Sequence, residues 1–147
     1  MSKVAIIIFA DIETKGDFGR AVNALMTAKE FKEAGDEVQI IFDGAGTKWI
    51  GKFNEKDGKY NDLFDSVKDK IAGVCGYCAG AFKVTDVVTV NAINLLDEYN
   101  GHPSFKKLVD NGYKNFFSFE PFSRKIHELN DPSELIRSSI NYILSKL

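Results

Sequence analysis

The chain opens on an unbroken apolar run, Val4-Ala-Ile-Ile-Ile-Phe-Ala10, with no polar residue at alternate positions. A β-branched run without alternation suits a strand covered on both faces, as in a parallel sheet. A polar loop from Asp11 to Gly16 follows, and Asp17 is placed to cap a helix reaching about Ala34. In that helix Ala21, Ala24, Leu25, Ala28 and Phe31 keep helical spacing, and Gly35 stands where the chain must turn out of it. Val38-Gln-Ile-Ile-Phe42 is a second buried strand. Strand, helix and strand in this order form one βαβ unit, which closes right-handed.

Past Asp43 the pattern shortens. Gly44-Ala-Gly46 predicts a turn and Thr47 to about Phe53 a short helix, followed by a charged surface loop from Asn54 to Lys59. Leu63, Phe64, Val67 and Ile71 keep amphipathic helical spacing, and Ile71-Ala-Gly-Val-Cys75 predicts a third strand with a helix leaving it through Ala79 to Phe82. Asp86 to Leu96 fits either a turn of helix or a short strand, Pro103 to Asp110 a short helix, and Tyr113 to Phe119 a final strand. Four to five strands alternating with helices define an α/β sandwich around a mainly parallel central sheet. This domain is expected over residues 1–120, with 121–147 as a C-terminal helical extension. In the extension, Asp131-Pro-Ser-Glu134 supplies a helix start. Ile136, Ile140, Ile143, Leu144 and Leu147 then form one apolar stripe, to be buried on the same domain or at a subunit interface.

Composition narrows the function. The 147 residues are 44% hydrophobic and 27% charged with a formal net charge of −2, so no basic face for nucleic acid is expected. A chain of this length buries about 70% of its unfolded surface and needs no disulfide or metal to fold. No apolar run approaches the roughly 20 residues of a membrane span, and the start, Met1-Ser2-Lys3, runs straight into a strand. The expected location is the cytoplasm, where the two cysteines are reactive thiols rather than a structural bridge.

In an open parallel sheet, ligands gather outside the carboxyl ends of the strands. Three segments should meet there: Asp11 to Phe18, Asp43 to Trp49, and Cys75-Gly76-Tyr77-Cys78. Only the last carries a nucleophile. It sets one sulfur at a strand end and the other in the first turn of a helix, whose N-terminus is expected to lower a thiol's pKa. Cys75 and Cys78 are therefore the catalytic candidates. Gly76, Tyr77, Asp11, Asp43, Trp49 and His102 are the candidates for binding substrate. Gly44-Ala-Gly46-Thr-Lys48 lacks P-loop spacing, and the first loop lacks a dinucleotide fingerprint. Neither a metal nor a cofactor is expected: beside the cysteine pair there are only His102 and His127, far apart on different elements. His102, ahead of Pro103, could still approach the thiols.

Several segments together resemble the DsrE/DsrF-like family over about residues 3 to 119. They are Asn23-Ala-Leu25, Phe42-Asp-Gly-Ala-Gly-Thr-Lys-Trp49, Gly73-Val-Cys-Gly-Tyr-Cys-Ala79 and Leu95-Leu-Asp-Glu-Tyr-Asn-Gly-His-Pro-Ser104. The resemblance implies a flavodoxin-like three-layer fold and a homo-oligomer, a trimer or hexamer. It also implies sulfur relay with donor and acceptor proteins, in which sulfane sulfur rides as a persulfide on the cysteine ending a strand. Cys75 matches that position; Cys78 stands where relay members carry a small residue. Two other readings remain open from the residues themselves. One is a thiol–disulfide oxidoreductase using both cysteines, and the other a non-catalytic oligomeric binding module.

Overall fold

The computed structural model describes residues 1–56 and 58–113. The last expected strand beyond Tyr113 and the C-terminal helix lie outside the described residues. The elements run β1 (Lys3–Ile8), α1 (Lys15–Glu33), β2 (Glu37–Phe42), a 3-10 turn (Gly44–Lys48), α2 (Trp49–Phe53), α3 (Asn61–Val67), β3 (Ile71–Cys75), α4 (Gly76–Ala81), α5 (Thr85–Val90), β4 (Leu95–Leu96) and α6 (Phe105–Asp110). The ambiguous stretch Asp86 to Leu96 resolves into both elements it allowed, first helix and then a strand of two residues.

The sheet has four strands in the order β1-β2-β3-β4, all parallel. β1 and β2 pair without a slip from Lys3 opposite Glu37 to Ile8 opposite Phe42. Alternation sorts the strand residues to two faces. Ile8, Val38, Ile40, Phe42 and Val74 share one buried cluster with residues of every helix from α1 to α5. Ile41 belongs to a second cluster with Leu108 of α6 and Tyr113, against which Ala5, Ile7, Ala72 and Leu96 pack. Helices thus cover both faces, as expected of an α/β fold of flavodoxin-like type. The larger core is rich in rings: Trp49 stacks on Phe53 at 4.9 Å and Phe53 on Phe64 at 5.5 Å between centroids. Each buried side chain of this size contributes about 2–3 kcal/mol from apolar burial.

Helix α1 starts earlier than its pattern predicts. Thr14, rather than Asp17, is the N-cap, and its Oγ1 accepts the Asp17 N–H at 3.0 Å. Asp17 returns the contact by accepting the Thr14 N–H at 3.2 Å, so the acid at the third helical position completes a capping box. Gly35 has φ +81 and ends the helix as expected.

The turn after β2 lies so close to β1 that it tolerates no side chain at one position. A Cβ on Gly46 would overlap the carbonyl oxygen of Ile8, which is backbone and cannot swing away. Gly19, inside α1, has nothing within 4 Å of its Cβ position. The two sites should therefore respond oppositely to alanine. Gly46→Ala should lower the unfolding free energy in urea by about 3 kcal/mol, through forced displacement of packed backbone. Gly19→Ala should raise it by about 0.5–1 kcal/mol, through helix propensity. Equal effects at both positions would contradict this packing.

Candidate functional site

The parallel strands β2, β3 and β4 all release their chains at one edge of the sheet, and chemically capable side chains from three of these exits converge. Asp43 follows the last residue of β2 and is 6% exposed. Its carboxylate accepts the N–H of Gly44 at 2.7 Å, an arrangement helped by the positive φ of Gly44. Cys75 is the last residue of β3, opposite Leu96 of β4, and is fully buried. It is also the N-cap of α4, its Sγ accepting the N–H of Cys78 at 3.4 Å. Cys78 is half-buried, and both cysteines are free thiols.

His102 arrives by a device that is visible in the sequence. Asn100 and Gly101 both have positive φ, at 51° and 85°, the requirement of a tight type I′ turn. Tyr99 and His102 exchange N–H to carbonyl bonds across it, both at 2.9 Å. The turn is pinned beneath α4, since the Gly101 carbonyl accepts the Tyr77 N–H at 2.8 Å. This sets His102 Nδ1 3.2 Å from Cys75 Sγ. The ring of Tyr77, 63% exposed, lies over His102 at 4.8 Å between centroids.

Four side chains form one constellation. The carboxylate of Asp43, the sulfurs of Cys75 and Cys78 and a ring nitrogen of His102 all lie within 4.8 Å of one another. His102, a candidate that could approach the thiols, thus stands beside them; His127 is outside the described residues. Gly76 and Tyr77 border the thiols as parts of α4. Asp11 and Trp49 do not join the cluster. Asp11 pairs with Lys48 at 2.6 Å. Trp49, a candidate for binding substrate, is instead fully buried in the core and donates its Nε1–H to the Ala10 carbonyl at 2.8 Å.

The electrostatics reverse the expectation of an acidified thiol. Burial pushes the Cys75 thiol up to about 12, and the Cys78 N–H offsets only part of this while the Asp43 carboxylate adds to it. Burial and Asp43 raise Cys78 as well. Helix α4 has six residues, and in this pocket its N–H groups do not outweigh lost hydration and a neighbouring negative charge. Both shifts favour the protonated thiols near neutral pH, and Cys75 has two groups beside it, the Asp43 carboxylate and the His102 imidazole.

A small α/β protein with paired thiols, an imidazole and a carboxylate at the carboxyl edge of a parallel sheet is the class these features define. The chain belongs to the DsrE/DsrF-like family, whose model matches residues 3–117. It is 33% identical over 113 residues to the uncharacterized protein MJ0733 of Methanocaldococcus jannaschii, a match covering 76% of this chain and 92% of that protein. No solved structure matches. No helix among the described residues is long and apolar enough to cross a membrane.

Burial and the raised pKa make a prediction about access. With iodoacetamide at mildly alkaline pH, Cys78 should be alkylated well before Cys75. The Cys75 rate should then climb about tenfold per pH unit up to about 12, as the thiolate fraction grows. Peptide mapping of a time course reads both rates, and preferential labelling of Cys75 at neutral pH would contradict the assignment.

Proposed function

We propose that the protein is a sulfur-transfer protein of DsrE type, with Cys75 as persulfide carrier and His102 as the base that activates it. The observation carrying this reading is the 3.2 Å contact between Cys75 Sγ and His102 Nδ1. A thiol with a pKa near 12 is a poor nucleophile until its proton is taken, and a contacting imidazole is the side chain suited to take it. His102 accepts the Cys75 proton as the sulfur attacks the outer sulfur of a donor persulfide, R–S–SH. The new Cys75 S–S bond forms as the bond between the donor's two sulfurs breaks, and R–S⁻ recovers the proton from the imidazolium. Delivery reverses these roles: an acceptor thiolate attacks the outer sulfur of Cys75–S–SH and Cys75 leaves.

A second reading draws on the second cysteine, whose sulfur lies within 4.8 Å of the first. Attack by Cys78 on the inner sulfur of Cys75–S–SH forms a Cys75–Cys78 disulfide and expels hydrosulfide, so the carrier becomes a reductive releaser that an external thiol must reset. Donor and acceptor proteins, a homo-oligomeric assembly and a cytoplasmic location belong to the same proposal. Family membership supports sulfur relay at the level of the family.

Intact-protein mass spectrometry after incubation with glutathione persulfide tests both readings. A reductant-labile gain of one sulfur atom should occur in wild type and Cys78→Ser and be absent in Cys75→Ser. His102→Gln should load about a hundredfold more slowly, the scale of a lost general base. Loss of two hydrogens in wild type alone, with sulfide released, would establish the second reading. An undiminished sulfur gain in Cys75→Ser would overturn the assignment of the carrier.

A further inference from the structure

We propose that Asp43, Cys75, Cys78 and His102 form a four-ligand site for a thiophilic divalent metal ion of the zinc class, a capacity separate from sulfur transfer. The donors are two sulfurs, one imidazole nitrogen and one carboxylate oxygen, all within 4.8 Å of one another. Tetrahedral zinc with bonds of about 2.0–2.3 Å sets its ligand atoms about 3.3–3.8 Å apart. The Cys75 Sγ to His102 Nδ1 separation of 3.2 Å is within about 0.3 Å of such an edge for sulfur and nitrogen. No other pair exceeds 4.8 Å, so none needs to close by more than about 1.5 Å, within the reach of small side-chain rotations.

The second observation is the position of the carboxylate. Asp43 is 6% exposed, and the ion pairs among the described residues do not include it. A buried carboxylate calls for a cation or strong donors. Asp43 receives the Gly44 N–H and otherwise faces two sulfurs. A divalent ion at the centre of the four groups supplies the missing positive charge. Thiolate ligands select such an ion over magnesium or calcium, which take oxygen.

The scaffold suits a ligand set. Cys75 ends a central strand, Asp43 caps the 3-10 turn after the neighbouring strand, and His102 is held by the paired Asn100-Gly101 turn. The reaction balances as M²⁺ with two thiols, one carboxylate and one neutral imidazole, giving a complex of net charge −1 and two released protons. Four protein ligands complete a tetrahedron and leave no position for a reactive water. The site is thus one that holds a metal rather than hydrolysing with it. While the metal is bound, Cys75 cannot accept sulfur.

The reduced, metal-free full chain should be titrated with Co²⁺ and then with Zn²⁺ against a chromophoric chelator, without any sulfur donor. The expected result is one equivalent bound, with intense visible bands of tetrahedral cobalt, sulfur-to-cobalt charge transfer in the ultraviolet, and release of about two protons at neutral pH. Cys78→Ser, His102→Gln and Asp43→Asn should each weaken zinc binding about a hundredfold or more, since even changes behind the ligands cost 10–100-fold. Asp86→Asn, exposed on α5, should leave it unchanged. Circular dichroism of each metal-free variant separates a lost ligand from a lost fold. No stoichiometric binding, an octahedral cobalt spectrum, or full affinity in folded His102→Gln or Asp43→Asn would overturn the site. Sulfur loading with no metal binding would leave the carrier reading standing alone, and metal binding with no sulfur loading the reverse.

Discussion

Parallel pairing of the strands is the constraint on which the rest of the structure depends. Because β1 through β4 all run the same way, every strand delivers its following residue to the same edge of the sheet. Asp43, Cys75 and the loop bearing His102 are distant in sequence and meet only for this reason. The pairing in turn requires close backbone approaches. Gly46 fits against the Ile8 carbonyl, and Gly73 lies where a Cβ would meet the Asn94 carbonyl oxygen and Leu96 Cγ, both at 2.7 Å. A side chain at Gly73 would push β4 from β3, and the His102 turn follows β4. Packing and chemistry are therefore coupled through two glycines.

What was legible in the sequence follows the same division. Val4 to Ala10 and Val38 to Phe42 are short, β-branched apolar runs of strand length, and the helix between them has an apolar stripe. Those elements are therefore readable without tertiary information. The start of α1 was less so, because Thr14 and Asp17 form a reciprocal pair and either can be taken for the cap. The two-residue strand β4 carries no periodicity at all; it exists because β3 offers it an edge to pair with.

The site was half legible. The cysteine pair announces itself, and a strand-to-helix turn is a local feature. The partnership of Cys75 with His102 is not local, yet Asn100-Gly101 is a strong signal of a tight two-residue turn. Read that way, it returns His102 toward the sheet edge. The rise in thiol pKa could not be read from spacing, because the sign depends on how much water the fold removes and where Asp43 points. Trp49 shows the converse: proximity in sequence to a site loop says little when the next turn carries the ring into the core.

The carboxylate of Asp43 gives the site its character. Burial is the larger cause of the raised thiol pKa values, and the carboxylate adds to it at both sulfurs. Ionisation at Cys75 then needs a compensating positive charge inside the pocket. In the proposed carrier a protonated His102 supplies one such charge for the moment of sulfur attack, and in the proposed metal site a divalent ion ligated by all four groups supplies a larger one that lasts. Both use the same geometry, and both fail if the carboxylate is the only ionised group present. A thiol as buried as this one resists ionisation even without such a neighbour, and the carboxylate deepens that resistance; positive charge arriving between Asp43 and the two sulfurs relieves it.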